Sequence, residues 1–266
     1  MDIRQASFEK MPTVRDIIGL IPAAGIARRL SDLSQSKEIL PVVFGSERAG
    51  LAAFAKPACH HLLEGFRSAG VTKALMVLRT GKWDIPACLA QNPVQGVDLS
   101  YIVIEESAGV PWTLDRAYPF VSGSDVVMGF PDILIRPTTL YRQMVEELRT
   151  GRSDVVLGVM PTSNPSKADV VKFTDDGKVD SIRPKPDGLL TARVWIAAAW
   201  RPSFTQYMHD FLVDNPVSSA TERELYLGDI LAAALAELDV FAVVCEEGRF
   251  IDIGTPEDLA DVRAES

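Results

Sequence analysis

Cysteine is scarce in this chain: Cys59, Cys88 and Cys245 are three thiols in 266 residues, far apart and in no metal-ligand spacing. They cannot make a disulfide framework, at least one stays unpaired, and a reducing cytoplasm is the expected location. Histidine is equally rare. His60 and His61 are adjacent within a helical pattern, so their side chains diverge and a structural role is expected, and no Ser-His-Asp or Cys-His set emerges. No stretch approaches the ~18 uncharged apolar residues of a membrane span, and the first residues lack the basic start and apolar core of a signal peptide. Positive charge is in deficit, with 27 Lys and Arg against 36 Asp and Glu and a net charge of -9. That balance disfavours nucleic acid and anionic membranes at long range, so a phosphorylated ligand needs a local basic cluster or a metal ion. Internal repeats, hexapeptide repeats included, and low-complexity segments are also absent, so no appended β-helix is expected. A mean hydropathy of +0.10 with 47% hydrophobic residues describes a packed domain.

Short apolar runs alternate with amphipathic segments. Ile17 to Ile21, Ala74 to Leu78, Leu99 to Ile104, Val126 to Phe130 and Val155 to Met160 read as buried strands, rich in Val, Ile and Leu. Between them, Pro57 to Ala69, Trp83 to Gln91, Trp112 to Phe120 and Thr138 to Thr150 carry helical spacing. The alternation predicts an α/β fold: a mostly parallel, doubly wound, Rossmann-like sheet with helices on both faces. After Met160 the pattern changes to antiparallel pieces, with a hairpin predicted at Val170 to Phe173 and Lys178 to Ile182 around Asp175-Asp176-Gly177. A strand at Arg193 to Trp200, helices from about Pro202 to Val213 and Leu227 to Leu238, and strands Val240 to Cys245 and Arg249 to Ile253 follow. Thr255 is placed to cap a last helix. Residues 1–14 read as a loose arm and 15–266 as one domain.

The stretch Leu20 to Val43 holds the densest chemistry. A buried strand ends in Pro22-Ala23-Ala24-Gly25, small residues that let backbone amides approach a ligand, and Arg28, Arg29 and Lys37 follow. Strand, small-residue turn and cations together make a phosphate cradle at the carboxyl end of a parallel strand, or, more plainly, a tight connection with surface arginines. Asp132 and Asp252 each follow a buried apolar strand, which would bring both carboxylates to a sheet edge where Mg²⁺ and phosphates can meet. The plainer alternative has Asp132 capping a helix after its loop and Asp252 bonding the turn at Gly254-Thr255.

These segments resemble, in order and spacing, the motifs of the sugar-1-phosphate nucleotidylyltransferases, including the glucose-1-phosphate uridylyl- and thymidylyltransferases. The resemblance is carried by Ile21 to Gly25 with Arg29, Ser36-Lys37 with Leu40-Pro41-Val42, Gly96 to Ile104, and Phe130-Pro131-Asp132. It continues through Asp176 to Val179 with Lys185-Pro186, Glu224-Leu225 with Asp229-Ile230, and Ile251 to Leu259. It implies transfer of a nucleoside monophosphate from a nucleoside triphosphate, UTP or dTTP, to a sugar 1-phosphate, with pyrophosphate leaving. It further implies that 15–266 is a single nucleotidyltransferase domain, with the hairpin as a substrate-binding insertion. The residues carried over are Arg29, Lys37 and Lys185 as catalytic cations, with Ala23, Ala24, Gly25 and Arg28 holding the nucleotide. Asp132 and Asp252 would hold Mg²⁺.

Several positions depart from the family pattern. Ala27 and Arg28 replace a glycine and a threonine of the loop, Pro131 a glycine before Asp132, and Pro184 a glutamate before Lys185. Trp112 and Trp195 stand near positions where the family tends to place glycine. The phosphate and metal apparatus is mostly kept, while the sugar-recognition apparatus is altered. Two other readings follow: a non-catalytic nucleotide-binding or structural homologue, and a cytidylyltransferase acting on a non-sugar phosphate. The expected partners are a nucleoside triphosphate and a small phosphorylated substrate, without nucleic acid or membrane; the sequence is compatible with a homo-oligomer, and the alanine-rich segment Leu231 to Leu238 could serve a subunit contact.

Overall fold

A computed structural model describes residues 15–26, 34–44, 55–216, 224–255 and 258–259. In chain order, β1 (Ile17–Ala23) is followed by a single 3-10 turn (Lys37–Ile39), the short strands β2 (Pro41–Val42) and β3 (Lys56–Pro57), and helix α1 (Ala58–Ser68). Next come β4 (Lys73–Arg79), α2 (Asp84–Gln91), β5 (Asp98–Ile104), α3 (Val110–Asp115), α4 (Tyr118–Val121), β6 (Asp125–Gly129), β7 (Ile133–Arg136) and α5 (Thr139–Arg149). The second part holds β8 (Val155–Thr162), β9 (Val170–Phe173), β10 (Val179–Arg183), β11 (Ala192–Trp200), α6 (Pro202–Asp214), α7 (Leu227–Ala234), β12 (Val240–Val244) and β13 (Arg249–Asp252).

Nine of these strands make one mixed sheet. Parallel pairing joins β5 to β4, β4 to β1, β1 to β6, and β8 to β12. β11 is antiparallel to both β6 and β8 and joins the two parallel groups, while the β9–β10 hairpin attaches to its first half through Val194 and Val170. Each predicted buried strand exists within a residue or two of its expected limits. The expected helix over Trp112 to Phe120 divides into α3 and α4, and the one over Leu227 to Leu238 ends at Ala234. β7 was not expected at all: it is only Ile-Leu-Ile-Arg, too short for alternation to register.

Continuous apolar runs suit strands covered on both faces. Ile21, Val127 and Val156 point toward α1 and α5, while their neighbours Leu20, Val126 and Val155 point toward α3, α6 and α7. Close approach of helix to sheet depends on small residues in the strands. A Cβ at Gly19 would lie 2.6 Å from the Phe66 ring of α1, and one at Gly129 would strike Leu62 and sit 2.7 Å from the Tyr141 hydroxyl. A third, smaller core, formed by Leu40, Val42, Phe44, Leu134 and Ile253, fastens the segment after the 3-10 turn to the β7–β13 pair. Among the described residues the cysteines are free, and no helix is long and apolar enough to cross a membrane.

Candidate active site

β1 lies between β4, which leads to β5 on one side, and β6, which leads to β11 on the other. The carboxyl ends of β1 and β6 therefore face the crevice where strand order reverses, the usual ligand position in such sheets. β1 ends in buried Ala23 and Ala24 and then exposed Gly25, where an added Cβ would meet nothing within 4 Å. That leaves backbone accessible at the strand end. Arg28 and Arg29 lie outside the described residues.

Asp132 comes three residues after β6, and β7 begins at the next residue. A strand follows it rather than a helix, so the capping role has no helix to serve. β7 pairs antiparallel with β13 so that Asp252 stands opposite Ile133, and the Ile253 N–H donates to the Asp132 carbonyl at 2.9 Å. This register makes neighbours of two aspartates 120 positions apart in sequence. Both line one cavity of about 470 Å³, which also receives Lys185, Asp169, Trp195 and Tyr226.

Lys37 reaches the aspartates from the 3-10 turn. Its ammonium pairs with the Asp132 carboxylate, and both side chains are largely buried. Burial works against the charged lysine, but Asp132, Asp252 and Glu38 outweigh it and raise its pKa, so Lys37 stays cationic. The turn is held from behind by the β4–α2 connection. The Ser36 N–H and hydroxyl donate to the Asp84 carboxylate at 2.7 and 2.9 Å, and buried Lys82 pairs with buried Glu38 at 2.5 Å. Burial lifts the Glu38 carboxyl above its ordinary range, Lys82 offsetting only part of the effect.

Lys185 sits in the loop between β10 and β11 with φ +41°, in the left-handed region that a side chain seldom adopts. Its ammonium lies 3.6 Å from the centre of the Tyr226 ring. At the far edge of the cavity, the Thr255 hydroxyl accepts from the Asp258 N–H at 3.2 Å, the expected cap, and Lys167 pairs with the Asp258 carboxylate at 2.9 Å. The structure thus brings together Lys37, Lys185, Asp132 and Asp252, while Ala23, Ala24 and Gly25 occupy the adjoining end of β1 outside the cavity lining.

Sequence reasoning missed Asp169, Lys82 and the side chain of Tyr226. Each is an isolated polar or aromatic residue at an element end, and only tertiary packing shows its place. His60 and His61 line no part of the cavity. Both are buried on α1, where burial, with Lys56 and Arg136 nearby, lowers the His61 pKa to about 3.

The family model described as nucleotidyl transferase matches residues 18–266. The chain belongs to this family. Among relatives of the nucleotidyl transferase chain, the low-salt glycan biosynthesis nucleotidyltransferase Agl11 of Haloferax volcanii is 23% identical over 246 residues, covering 91% of this chain and 64% of the relative. A glucose-1-phosphate thymidylyltransferase of Streptomyces antibioticus is 24% identical over 147 residues, 55% of this chain and 41% of that protein. The chain therefore spans less than two thirds of the length of the relatives it matches. A UDP-glucose pyrophosphorylase solved with UDP-glucose superposes with a TM-score of 0.74 at 17% identity, covering 94% of this chain and 97% of the other. At that identity the likeness speaks for the fold, a mostly parallel mixed sheet shared with nucleotidyl transferases.

Two carboxylates that line one cavity and both act on Lys37 are a fitting donor set for Mg²⁺, which is commonly held by one or two carboxylates plus substrate phosphates. Among the described residues no group of three His, Cys, Asp or Glu side chains is placed to hold a metal by itself. Any ion here would take its remaining ligands from substrate and water.

Proposed function

We propose that this chain is a cytoplasmic nucleotidylyltransferase that moves a nucleoside monophosphate from a nucleoside triphosphate, UTP or dTTP, to a small phosphorylated acceptor of the sugar 1-phosphate class, releasing pyrophosphate. The observation that carries the reading is the convergence of Asp132, Asp252, Lys37 and Lys185 on one site beyond the carboxyl end of β6. Family membership agrees with it, and the relatives include proteins named for thymidylyl transfer.

The chemistry asks little of acids and bases. A phosphate monoester has a second pKa of roughly 6, so the acceptor oxygen is already ionised at neutral pH and needs no general base. What the reaction needs is alignment of two anions and neutralisation of the charge that builds at the α-phosphorus. Lys185 would hold the acceptor phosphate. Lys37, kept charged by its carboxylate neighbours, would turn from Asp132 toward phosphate oxygens as substrate enters. Ala23, Ala24 and Gly25 would offer backbone to the nucleotide, with Arg28 and Arg29 following. Asp132 and Asp252 would hold Mg²⁺, which supplies charge neutralisation on the triphosphate.

The test is pyrophosphate release by the pure protein with Mg²⁺, each common nucleoside triphosphate and a panel of phosphorylated acceptors. At least one combination should turn over, and an Asp132→Ala, Asp252→Ala double variant should lose at least about 10³-fold, the scale of removing preorganised charge stabilisation. If no combination exceeds the double variant, the enzyme reading fails.

A further inference from the structure

The wall of the cavity that bears Lys185 is built from the rings of Trp195, Phe130 and Tyr226 together with the carboxylates of Asp169 and Glu224. Asp169 is only 7% exposed. Its Oδ2 accepts from the Trp195 indole N–H at 3.1 Å, while its Oδ1 is buried without a hydrogen bond of ordinary geometry. The carboxylate fits there because residue 228 is glycine; a Cβ at that position would collide with it. Trp195 and Phe130 stand with ring centres 6.1 Å apart. Burial holds the Asp169 carboxyl above its usual range even with Lys185 and Trp195 beside it.

Two features make this wall a receptor for positive charge. First, it already accepts an ammonium: that of Lys185 lies over the Tyr226 ring and within electrostatic reach of Asp169. An aromatic face flanked by a carboxylate is the arrangement that binds cations in partly desolvated sites. Second, five described carboxylates line the cavity (Asp132, Asp169, Glu224, Asp252 and Asp258); Lys37 pairs with Asp132 and Lys167 with Asp258, and Lys185 is the described lysine that acts on Asp169. Once Lys185 is drawn to an acceptor phosphate, buried Asp169 keeps the Trp195 indole N–H but loses its lysine neighbour, which is costly for a buried carboxylate.

We propose that the preferred acceptor carries an ammonium group as well as its phosphate, and that this group seats against Tyr226 and Trp195 with Asp169 as counter-ion, making Asp169 a specificity-determining residue. The proposal rests on the nucleotidyl-transfer reading for what happens at the phosphate. An aminated sugar 1-phosphate and a phosphorylated amino alcohol share this chemistry.

The experiment measures binding by calorimetry, with Mg²⁺ present, of two matched pairs: glucosamine 1-phosphate against glucose 1-phosphate, and phosphoethanolamine against 2-hydroxyethyl phosphate. In at least one pair the amine should bind tenfold or more tightly than its hydroxyl counterpart, and the pair that does so tells the two sources apart. Asp169→Asn should cut that ratio below threefold, as should Tyr226→Leu, with the thermal unfolding midpoint confirming that each variant is folded. Equal affinities within both pairs overturn the proposal, as do failure of both amines to bind and a loss in Asp169→Asn that is the same for amine and hydroxyl. Pyrophosphate release from the same samples keeps the two readings separate. Release with hydroxyl acceptors and no amine preference removes the subsite alone. An amine preference in binding without release from any nucleoside triphosphate retains the subsite and removes the transfer reaction.

Discussion

Asp132 and Asp252 could be picked out as residues because each follows a short apolar run, and the family motif around each names a carboxylate. Their adjacency was not legible, since it depends on the register of β7 against β13, and β7 is too short to announce itself. Gly129, at the last position of β6, shows the same division. In the sequence it is one small residue in an apolar run; in the structure it is the point where Leu62 of α1 and the Tyr141 hydroxyl of α5 reach the sheet. A methyl group there must displace side chains from two adjacent helices in a dense core, where overpacking costs typically 1–3 kcal/mol. Gly129→Ala should therefore lower the unfolding free energy by about 2 kcal/mol or more in urea titration. It should also lower turnover, because the strand it disturbs leads into Asp132. A variant as stable as the parent would show that the helices can retreat without loss.

The element that most directly sets the site is the 3-10 turn of Lys37–Ile39, and its stability comes from behind, through Glu38, Lys82 and Asp84. Lys37 could be read from its motif; the support could not, because Lys82 and Asp84 sit 45 or more positions away, at the entry to α2, and nothing local ties them to the turn. The Glu38–Lys82 pair is buried on both sides, so removing one partner leaves the other charged without compensation, at a cost of about 3–5 kcal/mol. Lys82→Met should therefore be strongly destabilising. The double variant Glu38→Gln, Lys82→Met should regain much of that loss, since two uncharged side chains carry no isolated charge. The double-mutant cycle, read from denaturant midpoints, fails the argument if the double variant is the sum of the two singles. Helix α1 was placed within a residue by its periodicity, and its histidines His60 and His61 do not line the cavity. Their burial emerges only in the folded chain, where the His61 ring meets the Phe44 ring edge-on.

At the scale of the molecule, parallel order could be read from the β-α alternation, whereas the antiparallel β11 that joins β6 to β8 is a tertiary choice. Because β11 links both parallel groups and β13 returns from the end of the chain to β7, the described residues should unfold as one cooperative unit. One calorimetric transition is expected, and two resolved transitions would contradict it. That shared fate makes a single buried histidine visible in the stability of the whole. His61 has an ordinary pKa of 6.5, which burial, aided by the charges of Lys56, Arg136 and His60, lowers to about 3 in the folded chain. Between those values the unfolded chain binds a proton that the folded chain refuses, so His61 contributes no penalty above pH 6.5 and costs stability increasingly as pH falls toward 3. The slope from one such proton approaches about 1.4 kcal/mol per pH unit. Buried Glu38 and Asp169 and half-buried Asp125 act the opposite way, their carboxyl pKa values being raised by loss of solvent. The clean measurement is therefore the difference between parent and His61→Gln in unfolding free energy from pH 7 down to pH 4.5. The parent should lose up to one proton's worth of slope more than the variant, and parallel curves would mean that His61 takes up its proton without unfolding.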